Sequence, residues 1–121
     1  MAYTGIMTTE AEIDQKTGAG VSAAFTDVMK TAATLQAEST VNVVCRYNFS
    51  DAVTAGLNAD VKGILSDVVS SLVAIEGIAY DTDGYRSRIE AEDKINVLRD
   101  GALRGMSILR DKKQQEFMIN A

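Results

Sequence analysis

The sequence predicts an all-α fold, a small bundle of about four helices with a long C-terminal helix and an extended C-terminal tail. Proline is absent from all 121 residues, and without that punctuation long uninterrupted helices are favoured over a turn-rich sandwich. Apolar residues recur at helical spacing through most of the chain. The composition, 46% apolar and 24% charged, is that of an ordinary folded domain and argues against disorder. A chain of this length fits one domain with one core, here residues 1–111, leaving 112–121 as a tail. With 4 Tyr, 3 Phe and no Trp, that core must be built from Ala, Val, Ile and Leu.

Thr9-Glu10-Ala11-Glu12 fits a capping box, in which the Thr hydroxyl accepts an early N–H and Glu12 reaches back. The helix it opens is short and ends near Gly18-Ala19-Gly20. A second helix is expected from Val21 or Ser22, with Phe25, Val28, Met29, Ala32 and Leu35 at helical spacing. Val41, Val43, Cys45, Tyr47 and Phe49 alternate as a strand would, but Ala37, Val41, Val44 and Cys45 also form a helical stripe. Nothing between Val21 and Tyr47 breaks a helix, so helix is expected to about Arg46.

Asn48-Phe49-Ser50-Asp51 reads as a turn leading into an irregular stretch that ends at Asn58. Asn58 or Asp60 then caps the clearest helix, whose apolar series is Val61, Ile64, Leu65, Val68, Val69, Leu72 and Val73. After a turn at Tyr80–Gly84, Ser87-Arg88-Ile89-Glu90 supplies a second capping box. The last helix, from Ser87 to about Lys113, carries Ala91, Ile95, Leu98, Ala102, Met106 and Leu109 on one face. At 1.5 Å per residue it is roughly 40 Å long, enough to span a domain of this size. The tail beyond it, with Phe117, Met118 and Ile119, is therefore expected to leave the body and contact a partner.

Composition also excludes functions. Without histidine there is no imidazole base, no Ser-His or Cys-His pair and no His-ligated zinc. The one cysteine cannot close an internal disulfide. Cys45 adjoins Arg46, but its apolar neighbours read as the surroundings of a buried, inert thiol. Glu90, Glu92 and Asp93 lie in the first turns of a helix, where acids suit the macrodipole. An enzyme is therefore not expected, nor is a cofactor. The segment Met1–Ile6 lacks the basic and apolar regions of a secretion signal, and no run approaches the roughly 20 apolar residues of a membrane span. Synthesis in the cytoplasm is expected.

Asp81, Asp83, Gly84 and Glu90 match part of an EF-hand loop, but its first ligand position falls on Ala79 and Arg86 sits inside it. Turn and cap chemistry explain these residues better. Gly101 and Gly105 form a small-xxx-small pair that suggests close subunit packing in an assembly. A net charge of −5 disfavours general nucleic-acid binding. Residues 1–85 hold 4 basic and 11 acidic groups, whereas 86–121 hold 8 basic and 6 acidic. An acidic body with a basic end can order neighbouring copies head to tail.

The order of elements, with the second helix closing on Cys45-Arg46-Tyr47-Asn48-Phe49, resembles the head–tail connector proteins of tailed bacteriophages, also called adaptor or head-completion proteins. The likeness covers about residues 9–111 and is closest from Glu38 through Phe49. It implies a structural virion protein at the head–tail junction, forming a ring, commonly of twelve copies, below the portal. Such a ring extends the DNA channel, through which the genome passes without specific binding, and joins portal to tail proteins. Carried over by position, the portal contact falls on Lys112, Lys113, Phe117, Met118 and Ile119. Two other classes fit the residues: a capsid-decorating or tail-completion protein, and a small cellular helical module that binds a partner protein.

Overall fold

The computed structural model of the protein describes residues 3, 5–18, 25–56, 59–80 and 88–111. Among the described residues there are five helices and no strand: α1 (Glu10–Thr17), α2 (Asp27–Cys45), α3 (Phe49–Ala55), α4 (Ala59–Tyr80) and α5 (Arg88–Arg110). The small all-α bundle expected from the sequence is present, with one helix more. Helix α4 is its axis and packs against α1, α2 and α5. One apolar cluster draws on every helix, from Met7 and Ile13 through Val41, Phe49, Leu65 and Val69 to Leu109.

Helix α1 starts with the Thr9 half of the expected capping box, while the Glu12 carboxylate turns to Ser66 and Thr8 instead of back to the Thr9 N–H. Thr9 is extended and its hydroxyl accepts the Glu12 N–H at 3.4 Å. The helix stops at Gly18, whose φ of 76° is readily adopted only without a Cβ, and whose N–H reaches the Asp14 carbonyl at 2.9 Å.

Helix α2 departs from expectation in two ways. It begins at Asp27, not near Val21 or Ser22. Residues 21–24 lie outside the described residues, Phe25 precedes the helix, and extended Thr26 is the N-cap with acidic Asp27 in the first turn. Its buried face is also different. Lys30, Ala33, Thr34, Ala37, Glu38, Val41 and Cys45 turn inward, while Val28 is 54% and Leu35 65% exposed. Of the apolar positions expected inside, Phe25, Ala37, Val41 and Cys45 are buried and Met29 packs against the core, whereas Val28, Ala32, Leu35 and Val44 face outward, because polar groups elsewhere in the fold receive Lys30, Thr34 and Glu38. The C-terminal end is where the sequence put it. Arg46 takes the left-handed conformation at φ 55°, and the Arg46 and Tyr47 N–H groups return to the Val43 and Asn42 carbonyls at 3.3 and 3.2 Å.

The expected turn at Asn48–Asp51 is the start of helix α3. Asn48 Oδ1 accepts the Asp51 N–H at 3.1 Å, and the side-chain chemistry that makes an Asx turn serves equally as an N-cap. The second anchor comes from the preceding helix. Asn42 Oδ1 accepts the Phe49 N–H at 2.9 Å, and the Phe49 ring is fully buried, edge-on to Tyr47 at 4.9 Å between centroids.

The apolar series of α4 is buried at Val61, Leu65, Val68, Val69 and Val73 and half-buried at Ile64 and Leu72. Helix α5 ends at Arg110, three residues short of Lys113, with the Asp111 N–H on the Ile108 carbonyl at 3.3 Å. Its inner face is as read: Ala91, Ala102 and Leu109 are buried, and Ile95, Leu98 and Met106 are half-buried. Gly105 meets Val68 of α4 so closely that a Cβ there would collide with it. Ile78 clusters with Ala91 at the other end, so α4 and α5 run antiparallel. No helix among the described residues is long and apolar enough to cross a membrane.

The core stripe of α4 governs stability. Leu65→Ala is expected to cost about 2–5 kcal/mol, because the side chain is fully buried, and half-buried Leu72→Ala should cost less. Urea melts of both variants check the order.

Candidate functional site

Polar side chains converge where the N-terminal segment crosses α1, α2 and α4. Glu38 Oε2 accepts the backbone N–H of Ile6 at 2.9 Å and of Met7 at 2.7 Å. The Tyr3 hydroxyl bonds Thr34 Oγ1 at 3.1 Å and donates to the Thr8 carbonyl at 3.3 Å. Thr8 Oγ1 and Ser66 Oγ are 2.9 Å apart, and Ser66 also donates to the Glu12 carboxylate. Lys30 Nζ reaches Asp14 Oδ1 at 2.9 Å and Glu10 Oε1 at 3.3 Å. Lys16 Nζ binds Asp67 Oδ1 at 2.6 Å, the Asp67 carbonyl at 2.7 Å and Ser71 Oγ at 2.8 Å. Among the described residues every buried side-chain nitrogen or oxygen has a partner. These groups are committed to one another, and what they do is strap the N-terminal segment and α1 onto α2 and α4.

Burial pushes the Tyr3 phenol above its ordinary value; the Thr34 hydrogen bond opposes this, and the Glu38, Glu10 and Glu12 carboxylates add to it. Burial alone would lower the Lys30 ammonium, but hydrogen bonds to Asp14 and Glu10, with their charges, carry it above its ordinary value. Among the described residues no three His, Cys, Asp or Glu side chains are grouped to hold a metal ion.

The remaining candidates are surfaces. An open groove of about 680 Å³ runs between the start of α4 and the end of α5, lined by Asp60, Gly63, Ile64, Gly101, Arg104 and Ile108 among others. Beside it, α5 exposes Leu103 and, further along the helix, Val97 and Ile89. The two glycines read as a subunit-packing pair have different surroundings. Gly101 opens onto the groove with nothing near its Cα hydrogens, whereas Gly105 is occupied by Val68 of its own chain. Cys45 is fully buried. Lys112, Lys113, Phe117, Met118 and Ile119 lie outside the described residues, as does the Asp81–Ser87 part of the partial calcium loop.

Sequence reasoning missed the outward face of α2, where Val28, Leu35, Val43 and Val44 are exposed. A signal for it existed. Between Val28 and Cys45 the only charged residues are Lys30 and Glu38, eight positions apart and therefore within about 80° of each other around the helix.

No family model, curated protein sequence or solved structure matches the chain.

Two measurements test the strap. Glu38→Ala leaves the Ile6 and Met7 N–H groups without their acceptor and should cost about 1–3 kcal/mol, with hydrogen exchange accelerating first at those two amides. Glu38→Gln keeps an acceptor oxygen and should lose less.

The second is pH. Tyr3 and Lys30 both hold their protons more tightly folded than unfolded. Their contribution is complete below the unfolded values of about 10 and 10.4 and is lost as pH rises through the raised folded ones. The melting temperature should fall as pH rises above about 10, and Tyr3→Phe should remove the phenol's share of that fall.

Proposed function

We propose that the protein is a structural subunit of a tailed-phage virion, a head–tail connector that forms a ring below the portal and extends the DNA channel. The observation that carries this reading is the outer side of α5, where Ile89 and Val97 are 70% and 71% exposed and an open groove lies at Gly101. A helix of 23 residues, about 34 Å long, with apolar side chains on its outer side as well as its inner one, has more apolar surface than the described residues cover. A neighbouring copy seated along it would cover the rest. Rings are built from such contacts between unlike surfaces, repeated until the rotation closes. The uneven charge supports the same arrangement, since an acidic body can meet the basic end of the next copy.

The order of elements supports it too: a short capped helix, an Ala-rich helix closing at Cys45-Arg46, then, after the short α3, two long helices. In this reading Gly101 admits the neighbouring subunit, and Lys112, Lys113, Phe117, Met118 and Ile119 dock on the portal. A net charge of −5 lets DNA slide through the ring without sticking. The role is mechanical.

A chain ending after Asp111 should keep its helical circular-dichroism spectrum and melt near the parent temperature, yet no longer co-sediment with portal-bearing particles. Docking by the truncated chain would remove the tail from the portal contact. Particle images with this protein anywhere but the portal vertex would overturn the connector reading itself.

A further inference from the structure

Helix α2 turns both of its central charges inward, Lys30 to Asp14 and Glu10 and Glu38 to the Ile6 and Met7 amides. Its outer surface is left without charge. Val28, Ala32, Leu35, Ser39 and Val43 are all exposed, with Leu35 at 65% and Val43 at 76%. At 100° per residue these five positions fall within about 80° of one another, one narrow stripe along the helix. Their intervals of four, three, four and four residues place large, small, large, small and large side chains in turn. The order reads the same from either end.

A stripe with that symmetry is complementary to itself. When a second α2 lies antiparallel on the first, Val28 meets Val43, Ala32 meets Ser39, and the two Leu35 side chains flank the centre, offset by about one residue or 1.5 Å along the axis. Ala32 and Ser39 let the backbones approach while the larger residues fill the seam. Charge sets the direction. Asp27 and Arg46 stand at opposite ends of α2, and among the described residues neither is ion-paired. An antiparallel pair sets the acidic start of each helix at the same end of the seam as the basic end of the other, whereas a parallel pair would set like charges together. The outer side of α5 is a poorer occupant, because Asp93, Asp100 and Arg104 are interleaved with its apolar residues and would be buried against a surface with nothing to pair them.

We propose that α2 is the contact surface for a second copy of this chain, paired antiparallel across a two-fold axis beside Leu35. This does not rest on the connector reading. A two-fold contact uses the same surface on both copies and closes at two, whereas a ring uses unlike surfaces.

Light scattering across a dilution series tests it on the full chain. The parent should show the mass of two chains, and Leu35→Lys the mass of one with an unchanged helical spectrum. Asp27→Arg should raise the dissociation constant several-fold, and Asp27→Arg with Arg46→Asp should restore it. In a Cys45→Ala background, Leu35→Cys chains should cross-link to each other under mild oxidation. Val28→Cys chains should cross-link to Val43→Cys chains and not to themselves. A parent that stays one chain at every concentration, or a Leu35→Lys variant that keeps the parent mass, overturns the proposal. Val28→Cys self-linkage overturns its antiparallel form. A ring that Leu35→Lys leaves intact refutes α2 pairing and spares the connector, whereas a dimer never found at a portal vertex does the reverse.

Discussion

The Glu38 carboxylate, only 4% exposed, sets how the rest of this molecule is arranged. A carboxylate in that position would cost several kcal/mol without donors, and the Ile6 and Met7 amides supply two. Two turns earlier Lys30 buries its stem and meets Asp14 and Glu10 of α1. These bonds hold α2 at one rotation about its own axis. They also explain why α1 and the segment before it lie where they do, since each supplies partners that α2 cannot find in itself.

That rotation has consequences on both sides of the helix. Inward, Ala33, Ala37, Val41 and Cys45 follow Lys30, Thr34 and Glu38 into the core. With small residues there, α4 can come close enough to bury Leu65, Val69 and Val73 completely. Outward, the remaining apolar residues of α2 have nowhere to go but the surface. On the far side of α4 the limiting residue is Gly105, where the approach of Val68 leaves no room for a side chain. The antiparallel α4–α5 pair is therefore fixed by a close contact at one end and by the Ile78–Ala91 cluster at the other.

Among the described residues the polar interior is internally satisfied, and most of the apolar surplus lies on two separate helices. Interior satisfaction gives the body rigidity; the surplus gives it reasons to associate. The two surfaces differ in a way that matters. On α5, charges are interleaved with apolar residues beside an open groove, which suits an unlike partner surface. On α2 the stripe is free of charge and symmetric end to end, which suits a copy of itself. The proposed connector role calls on the first kind of surface, and the proposed α2 pairing on the second.

Much of the helical framework was legible in the chain. The Thr9 cap, the end of α2 at Arg46, the core stripe of α4 and the inner face of α5 all follow from local pattern, because capping and 3.6-residue periodicity act within a few turns. Helix α3 was not legible, because the Asn48 cap also fits a turn and the deciding anchors are Asn42, reaching the Phe49 amide from the last turn of α2, and the burial of Phe49 in the core. The face of α2 was misjudged for a related reason. Periodicity sorts residues by hydrophobicity, which serves for Phe25, Ala37, Val41 and Cys45 but also places Val28 and Leu35 inside. The sequence by itself determined that this chain is helical, where most of its helices end, and which faces of α4 and α5 are buried. Only the tertiary structure decided which way α2 turns, since a buried charge is tolerated only where distant backbone and side-chain groups arrive to bond it.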